Sequence, residues 1–187
     1  MPALKIKLTR EREHVMPGEL WIQWTIRISM LCYAAYLILS VTRRPGENRS
    51  SLLRFFWTAG CVVFLAHFIA AFEFAHGWSN QHAVEDTARQ TRELLGWEFG
   101  KGIYFSYLFL VLWIVDVVWW WSRPNGYSSR PIWLSFLVNG YILFIAFNGC
   151  IIFEPGVTRW GGLFVIIVLA VLLFLRRRPF RAVTCHE

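Results

Sequence analysis

The chain of 187 residues is 56% apolar and 18% aromatic, and only 17% of its residues are charged. This composition excludes an ordinary soluble domain, which carries more charge and fewer aromatic residues. The formal net charge of +7 does not indicate a nucleic-acid partner, because the basic residues flank the apolar segments and form no continuous patch.

Five apolar segments have about the length of a membrane-spanning helix, which needs roughly 20 residues to cross a hydrocarbon core. Ten of the eleven tryptophans lie near the ends of these segments, as in the aromatic belts of membrane proteins. We therefore predict an all-α fold, a polytopic integral membrane bundle that forms a single domain over residues 1–187. The five transmembrane helices are predicted at 20–41, 55–76, 102–121, 132–153 and 160–175, between a charged N-terminal tail (1–19) and a basic C-terminal tail (176–187).

The first predicted helix carries one charged side chain within its apolar segment, Arg27. If the helix enters the bilayer near Leu20, Arg27 lies about 10 Å deep at a rise of 1.5 Å per residue. An arginine at this depth must extend back to the interface or pair with a carboxylate. Both alternatives stay open, and Glu73 is the carboxylate that we consider as its partner.

The second predicted helix holds the densest set of ionisable groups, His67 near its middle and Glu73 and His76 at its end. Such groups are costly in lipid and are candidates for function. His67 and His76 are nine residues apart and point to opposite sides of a straight helix, so they cannot share a site. His67 is either an axial haem ligand, a proton-relay group, or a neutral histidine bonded to Asn139, a tyrosine or a backbone carbonyl.

Glu73 and His76 have the Glu-x-x-His spacing found in di-iron carboxylate bundles, and they share one helix face. Those bundles use two such motifs and two further glutamates, whereas this chain holds one motif. His82 or Glu154 would have to complete a mononuclear site. The alternative is an interfacial carboxylate and imidazole that bond to each other, to Arg27 or to water. We expect no cofactor, and haem or a transition metal is the alternative.

A short helix is predicted at 80–95, between the second and third spans, where it would cover one end of the bundle as a lid. Ser79 or Asn80 can cap its start, and Gly96 stands where a C-terminal glycine is favoured. Arg89 is four residues from Glu85 and from Glu93, the spacing that brings side chains together on a helix.

The third predicted helix contains Asp116 near its C-terminal end. A carboxyl group at that depth must be protonated or paired, and Arg123 and Arg54 at the same surface are the expected partners. We therefore predict a structural salt bridge rather than a proton path. In the fourth helix, Asn139 and Asn148 are expected to bond to neighbouring helices.

The fifth predicted helix has an almost purely apolar sequence and is expected to face lipid. The four cysteines form no Cys-x-x-Cys pair, so we interpret them as small hydrophobic residues rather than as disulfides or zinc ligands. They are Cys32, Cys61, Cys150 and Cys185.

The distribution of basic residues predicts the orientation. Five crossings place ten Lys and Arg residues on the C-terminal side of the membrane and eight on the N-terminal side. The positive-inside rule then favours a cytoplasmic C-terminus, with the N-terminus and the 77–100 loop outside the cytoplasm. The predicted location is the cell (plasma) membrane.

The sequence contains no complete catalytic set that we recognise, so the leading prediction is a non-enzymatic structural or interaction component of a membrane assembly. Its expected partners are the lipid bilayer and other membrane proteins or a second copy of the chain, and no nucleic acid. The alternatives are a metal- or haem-dependent redox protein and a small proton-coupled transporter. The candidate residues for the redox chemistry are His67, Glu73, His76 and His82, and those for proton-coupled transport are Arg27, His67 and Asp116.

Overall fold

The computed structural model of the chain describes residues 17–42, 50–149 and 156–177. These residues are 92% helical and include no strand, which confirms the all-α prediction for this part of the chain. The predictions that concern most of both tails, the first loop, Cys150, Cys185 and Glu154 lie outside the described residues.

The described residues form seven α-helices. They are α1 (Pro17–Thr42), α2 (Ser50–Ala71), α3 (Asn80–Leu95), α4 (Ile103–Ser122), α5 (Pro124–Ser128), α6 (Ile132–Phe147) and α7 (Val157–Arg177). A π-helical turn, Phe72–His76, extends α2, and a 3₁₀ turn, Gly100–Gly102, leads into α4.

Three helical segments are long and apolar enough to cross a membrane, judged by length and composition: Gly18–Thr42, Ser50–His76 and Gly100–Ser122. They correspond to the first three predicted spans. The fourth and fifth predicted spans correspond to shorter apolar helices, Ile132–Phe147 and Arg159–Leu175. Residues 150–153 of the fourth predicted span are not described, and the count of five spans stays a prediction.

The core lies between α1, α2 and α4 and is built from aromatic rings. Trp57 on α2 and Trp113 on α4 have no exposed surface, and their ring centroids lie 5.3 Å apart. Tyr33, Phe64 and Phe109 surround them with ring contacts of 4.7 to 6.0 Å. Aromatic pairs at these separations stabilise a core beyond the area that they bury.

Small residues pack α1 against α2 near Gly60. The Ser29 hydroxyl donates a hydrogen bond of 2.8 Å to the carbonyl of Gly60. A Cβ atom on Gly60 would lie 2.9 Å from the Trp113 ring and 3.4 Å from Cβ of Cys32. Glycine is therefore required at position 60, since any side chain there would displace a buried tryptophan.

The helices α6 and α7 flank this core. α6 packs against α4, where Ile142 is fully buried and the Tyr141 hydroxyl donates a 2.9 Å hydrogen bond to the Phe105 carbonyl. α7 packs against α1. Most large apolar side chains of both helices point outward, Phe136 and Phe164 among them. An apolar outer surface of this extent is typical of a protein that meets lipid or other membrane helices.

The helix α3 has the predicted bounds. Ser79 is its N-cap, accepting a hydrogen bond from the His82 amide, and Gly96 ends it with φ of +79°. The prediction for Arg89 was wrong, because its guanidinium lies 2.7 Å from Asp86, three residues earlier. Glu85 instead accepts a hydrogen bond from Gln81.

α3 is held at the end of the bundle where α2 ends and α4 begins. The Thr91 hydroxyl accepts a 2.9 Å hydrogen bond from the Phe99 amide, just before the 3₁₀ turn. The Asn80 side-chain oxygen accepts a 2.8 Å hydrogen bond from the Tyr107 hydroxyl of α4. A Cβ on Gly100 would lie 2.6 Å from the Val84 carbonyl oxygen, so only glycine permits this contact of turn and helix.

Candidate functional site

Asp116 on α4 is the centre of the most extensive buried polar network among the described residues, and its side chain is only 3% exposed. Its Oδ2 accepts hydrogen bonds from Trp57 Nε1 at 2.9 Å and from the Tyr127 hydroxyl at 2.8 Å. Its Oδ1 accepts from Arg130 Nη1 at 2.6 Å. We call these four residues the Asp116 centre.

The third loop, residues 123–131 between α4 and α6, supplies two of the donors because it folds back onto the end of α4. Pro124 begins the short helix α5, where its fixed φ is compatible with a first helical turn. α5 brings Tyr127 under the end of α4, with its ring stacked on Trp120 at 4.6 Å between centroids. Arg130 then follows, with its guanidinium carbon 4.0 Å from the centroid of the Tyr127 ring.

Asp116 and Arg130 balance each other's charge inside the protein. The Arg130 side chain is 8% exposed, and its Nε donates a 2.7 Å hydrogen bond to the Ser135 hydroxyl on α6. Burying an ion pair is costly, and only close geometry with further hydrogen bonds offsets that cost. Burial, with Asp116 as a further cause, raises the pKa of Tyr127 far above its ordinary value, so Tyr127 stays a neutral donor.

The predicted salt bridge of Asp116 is present, but both predicted partners were wrong. The partner is Arg130, while Arg123 is exposed and Arg54 lies over the rings of Trp120 and Trp121. The reason is the fold of the third loop, because α5 reverses the chain and carries Arg130 back to a residue that precedes it by fourteen positions.

A cavity of about 690 Å³ lies beside the Asp116 centre, between the ends of α1 and α4, the start of α2, α5 and the start of α6. Its wall includes Ser40, Arg54, Trp120, Asn125, Tyr127 and Arg130. The guanidinium carbon of Arg54 is 5.6 Å and 5.1 Å from the centroids of Trp120 and Trp121. Its Nε is buried and has no hydrogen-bond partner among the described residues.

His67 lies in the contact between α1 and α2. Its Nδ1 is 3.0 Å from the Ile22 carbonyl oxygen and 3.4 Å from the Thr25 hydroxyl. A carbonyl can only accept, so Nδ1 carries a proton and donates it to the Ile22 carbonyl. Among the partners considered from the sequence, His67 therefore bonds to a backbone carbonyl.

Asn139 on α6 and Asn148, which directly follows it, bond to their own helix and not to another described helix, contrary to the prediction. Asn139 donates to the Ser135 carbonyl and Asn148 to the Phe144 carbonyl, both at 2.7 Å and both four residues earlier. The side-chain amide of an asparagine competes for local backbone acceptors, and here the local bond is the one formed.

Glu73 and His76 lie beside different side chains and not beside each other. Glu73 Oε2 accepts a 2.6 Å hydrogen bond from Trp78 Nε1. Trp78 has a left-handed backbone with φ of +58°, uncommon for a residue other than glycine. His76 Nδ1 lies 3.2 Å from Asp86 Oδ2 on α3, a close approach without hydrogen-bond geometry.

The ion pair between Arg27 and Glu73 that we considered from the sequence is not formed. The Arg27 guanidinium lies 5.6 Å from the centroid of Trp24, and it has no carboxylate partner among the described residues. Extension of Arg27 back to the interface stays a prediction.

The candidate residues for redox chemistry or proton transfer are spread over the bundle. Trp57, which contacts Asp116, precedes His67 by ten residues of helix, which places the two groups roughly 15 Å apart along the axis. His82 is exposed at the start of α3. No three His, Cys, Asp or Glu side chains come together as a metal-binding group within 17–42, 50–149 and 156–177.

Comparison of the chain with protein-family models, with curated proteins and with solved structures finds no match. The function proposed below therefore depends on the geometry of this protein alone.

Sequence reasoning missed three of the four residues of the Asp116 centre. Trp57 is one of the ten tryptophans near segment ends, and no role is predicted from the sequence for Tyr127 or Arg130. One signal was available, because a buried carboxylate needs several donors. Tyr127 and Arg130 follow Asp116 by 11 and 14 residues.

The two central tryptophans offer a matched test of the Asp116 centre. Trp57→Phe and Trp113→Phe remove the same atoms from equally buried rings. Trp57 Nε1 bonds to Asp116, whereas Trp113 Nε1 has no hydrogen-bond partner in the described part of the chain. We expect Trp57→Phe to lower the free energy of unfolding by about 2 kcal/mol more than Trp113→Phe. Unfolding in mixed detergent micelles measures both. Equal losses would show that the bond to Asp116 contributes nothing.

Proposed function

We propose that the protein is a five-span integral membrane protein with a non-enzymatic role, as a structural or interaction component of a membrane assembly. The observation that carries this proposal is the pair of open glycines on the flanking helices, Gly140 on α6 and Gly161 on α7. Both are exposed, and a Cβ atom on either would meet nothing within 4 Å.

Glycine within a helix costs about 1 kcal/mol relative to alanine, so these positions carry an energetic cost in the isolated chain. In membranes, small residues let the backbones of two helices approach closely and gain van der Waals contact. Gly60 has this use within the bundle, where α1, α2 and Trp113 fill the space around it. A helix of a partner protein could pack equally closely against Gly140 or Gly161 on the outer surface of the bundle.

The flanking helices also support the count of five spans. α6 and α7 each pack along a helix that is long enough to span, α4 and α1 respectively. The 16 residues of α6 extend about 24 Å, short of the roughly 30 Å hydrocarbon core. Local thinning of the bilayer accommodates such a difference at modest cost.

The proposed location is the plasma membrane, with the C-terminus in the cytoplasm and the N-terminus and the 77–100 loop on the other side. The excess of basic residues on the C-terminal side, ten against eight, supports this orientation. The Asp116 centre and its cavity would then lie in the cytoplasmic half of the protein.

Gly140→Leu and Gly161→Leu test the proposal. An alkaline carbonate wash should first leave the wild-type chain in the membrane pellet. Each variant is then expected to weaken self-association or capture of membrane partners about ten-fold, measured by cross-linking in membranes and by size in detergent. Thermal stability of the chain should not change, because both sites are open.

Ala66→Leu is the matched control, since it adds bulk to an exposed position on an apolar helix that has no glycine there. Extraction by carbonate would contradict membrane integration. Association that is insensitive to both glycine variants, or equally sensitive to Ala66→Leu, would contradict the assembly surface.

A further inference from the structure

We propose that the cavity beside the Asp116 centre is a binding site for a phosphate group, presented by a lipid headgroup or by a soluble phosphate. The site uses Arg54 and Arg130, with Asn125 as a neutral donor at its edge. The proposal extends the role suggested above and depends on membrane placement only where the phosphate is that of a lipid.

The charge of the cavity wall is positive. Two guanidinium groups line it, and none of its described lining residues is acidic. Asp116 balances the charge of Arg130 from behind the wall. Arg54 forms no ion pair with a described residue, so its charge is left for a ligand.

Arg54 is also held in place without its hydrogen bonds being used. Its guanidinium lies over two tryptophan rings, while its buried Nε has no acceptor. Arg54 also lines the cavity, so a ligand oxygen there can accept a hydrogen bond from its guanidinium group. Because the rings already hold the side chain, little conformational entropy is lost when a ligand binds.

Arg130 presents a second, prearranged donor. Its Nη1 and Nε are bonded to Asp116 and Ser135, and Nη2 makes no hydrogen bond to a described residue. Two fixed guanidinium groups favour an anion with several acceptor oxygens, which arginine binds through parallel N–H bonds. Phosphate has this geometry, and the cavity of about 690 Å³ has room for a headgroup.

The expected depth of the cavity in the membrane also favours a phosphate ligand. Trp120 and Trp121 at the end of α4 and Trp133 at the start of α6 lie beside it or near it in the chain. Tryptophan is enriched at the headgroup level of the bilayer, where the phosphates of lipids are found. The proposed site thus lies at the level of its proposed ligand.

The test uses the purified full-length chain in neutral maltoside detergent. Phosphatidylglycerol, zwitterionic phosphatidylcholine and inorganic phosphate are added separately, and binding is measured by native mass spectrometry and by the shift of thermal unfolding. We expect phosphatidylglycerol to bind wild type and Arg54→Gln to bind it at least about ten-fold more weakly. Arg123→Gln should leave binding unchanged, since Arg123 is exposed and does not line the cavity.

A second pair of variants keeps the test valid if Arg54→Gln fails to fold. Asn125→Asp places a carboxylate on the exposed cavity wall and should weaken binding about ten-fold by repulsion. Ser122→Asp, also exposed but outside the cavity wall, is the control. Binding of inorganic phosphate as well would identify a soluble phosphate ligand, and binding of phosphatidylglycerol alone a lipid.

The proposal is overturned if neither phosphatidylglycerol nor inorganic phosphate binds. It is equally overturned if the cavity variants and their controls weaken binding alike, because the effect would then come from general surface charge. These outcomes are independent of carbonate extraction and of association through Gly140, so a failure here leaves the proposed membrane role standing.

Discussion

Asp116→Ala is expected to lower the free energy of unfolding by about 3–5 kcal/mol, the largest effect that we predict for a single polar substitution in this chain. The change leaves the Arg130 guanidinium buried at 8% exposure without its carboxylate. It also removes the acceptor of Trp57 Nε1 and of the Tyr127 hydroxyl. Unfolding in mixed micelles of maltoside and dodecyl sulfate, followed by circular dichroism, measures the loss.

The double variant Asp116→Ala/Arg130→Met identifies the cause. If the loss comes from an uncompensated buried charge, removal of both charges should recover most of the stability, with a coupling of about 2–3 kcal/mol. Glu98→Ala is the matched control, because it breaks an ion pair with Arg92 in which both side chains are more than half exposed. We expect that control to cost less than about 1 kcal/mol. A similar cost for Glu98→Ala and Asp116→Ala would contradict the proposed role of the buried pair.

Gly60→Leu is expected to destabilise the bundle by about 3 kcal/mol, because the added side chain must displace packed aromatic rings. The first atom of that side chain would already lie 2.9 Å from Cζ2 of Trp113. Gly140→Leu is the control of identical chemistry, because a Cβ there meets nothing within 4 Å. The same unfolding measurement should show no loss for Gly140→Leu.

The role of the Trp113 ring in this clash can be tested as well. Both Trp113 atoms nearest to the added Cβ, Cζ2 and Cη2, belong to the part of the indole that phenylalanine lacks. Gly60→Ala should therefore cost less in a Trp113→Phe background than in wild type. Strictly additive costs would mean that the close approach at Gly60 is not what limits its replacement.

The local elements follow from local signals. The bounds of α3 are predicted from Ser79, which caps it, and Gly96, which ends it, because both act within one helical turn. The first three spans are predicted because a long apolar run decides a membrane helix by itself. The partner of Arg89 was wrong because Asp86 and Glu85 both lie within its reach, and sequence spacing does not rank them.

The candidate site depends on contacts between segments, which local signals do not predict. The sequence indicates that Asp116 needs a buried partner, but it offers Arg54, Arg123 and Arg130 as arginines at the same surface. The choice of Arg130 depends on the path of α5, and Arg54 lies over Trp120 instead. The cavity is formed by parts of five helices between Tyr36 and Ser135, and no pattern in one segment predicts it.

The sequence by itself determined that the chain is helical and which segments are apolar enough to span, because these properties depend on side chains within a few residues of one another. Only the tertiary structure decided which charges meet. Asp116 joins Trp57 and Arg130, while His67 bonds to the backbone of α1. The physical reason is that a buried ion pair or a close helix contact depends on how several helices pack together. The sequence of one helix does not determine that packing.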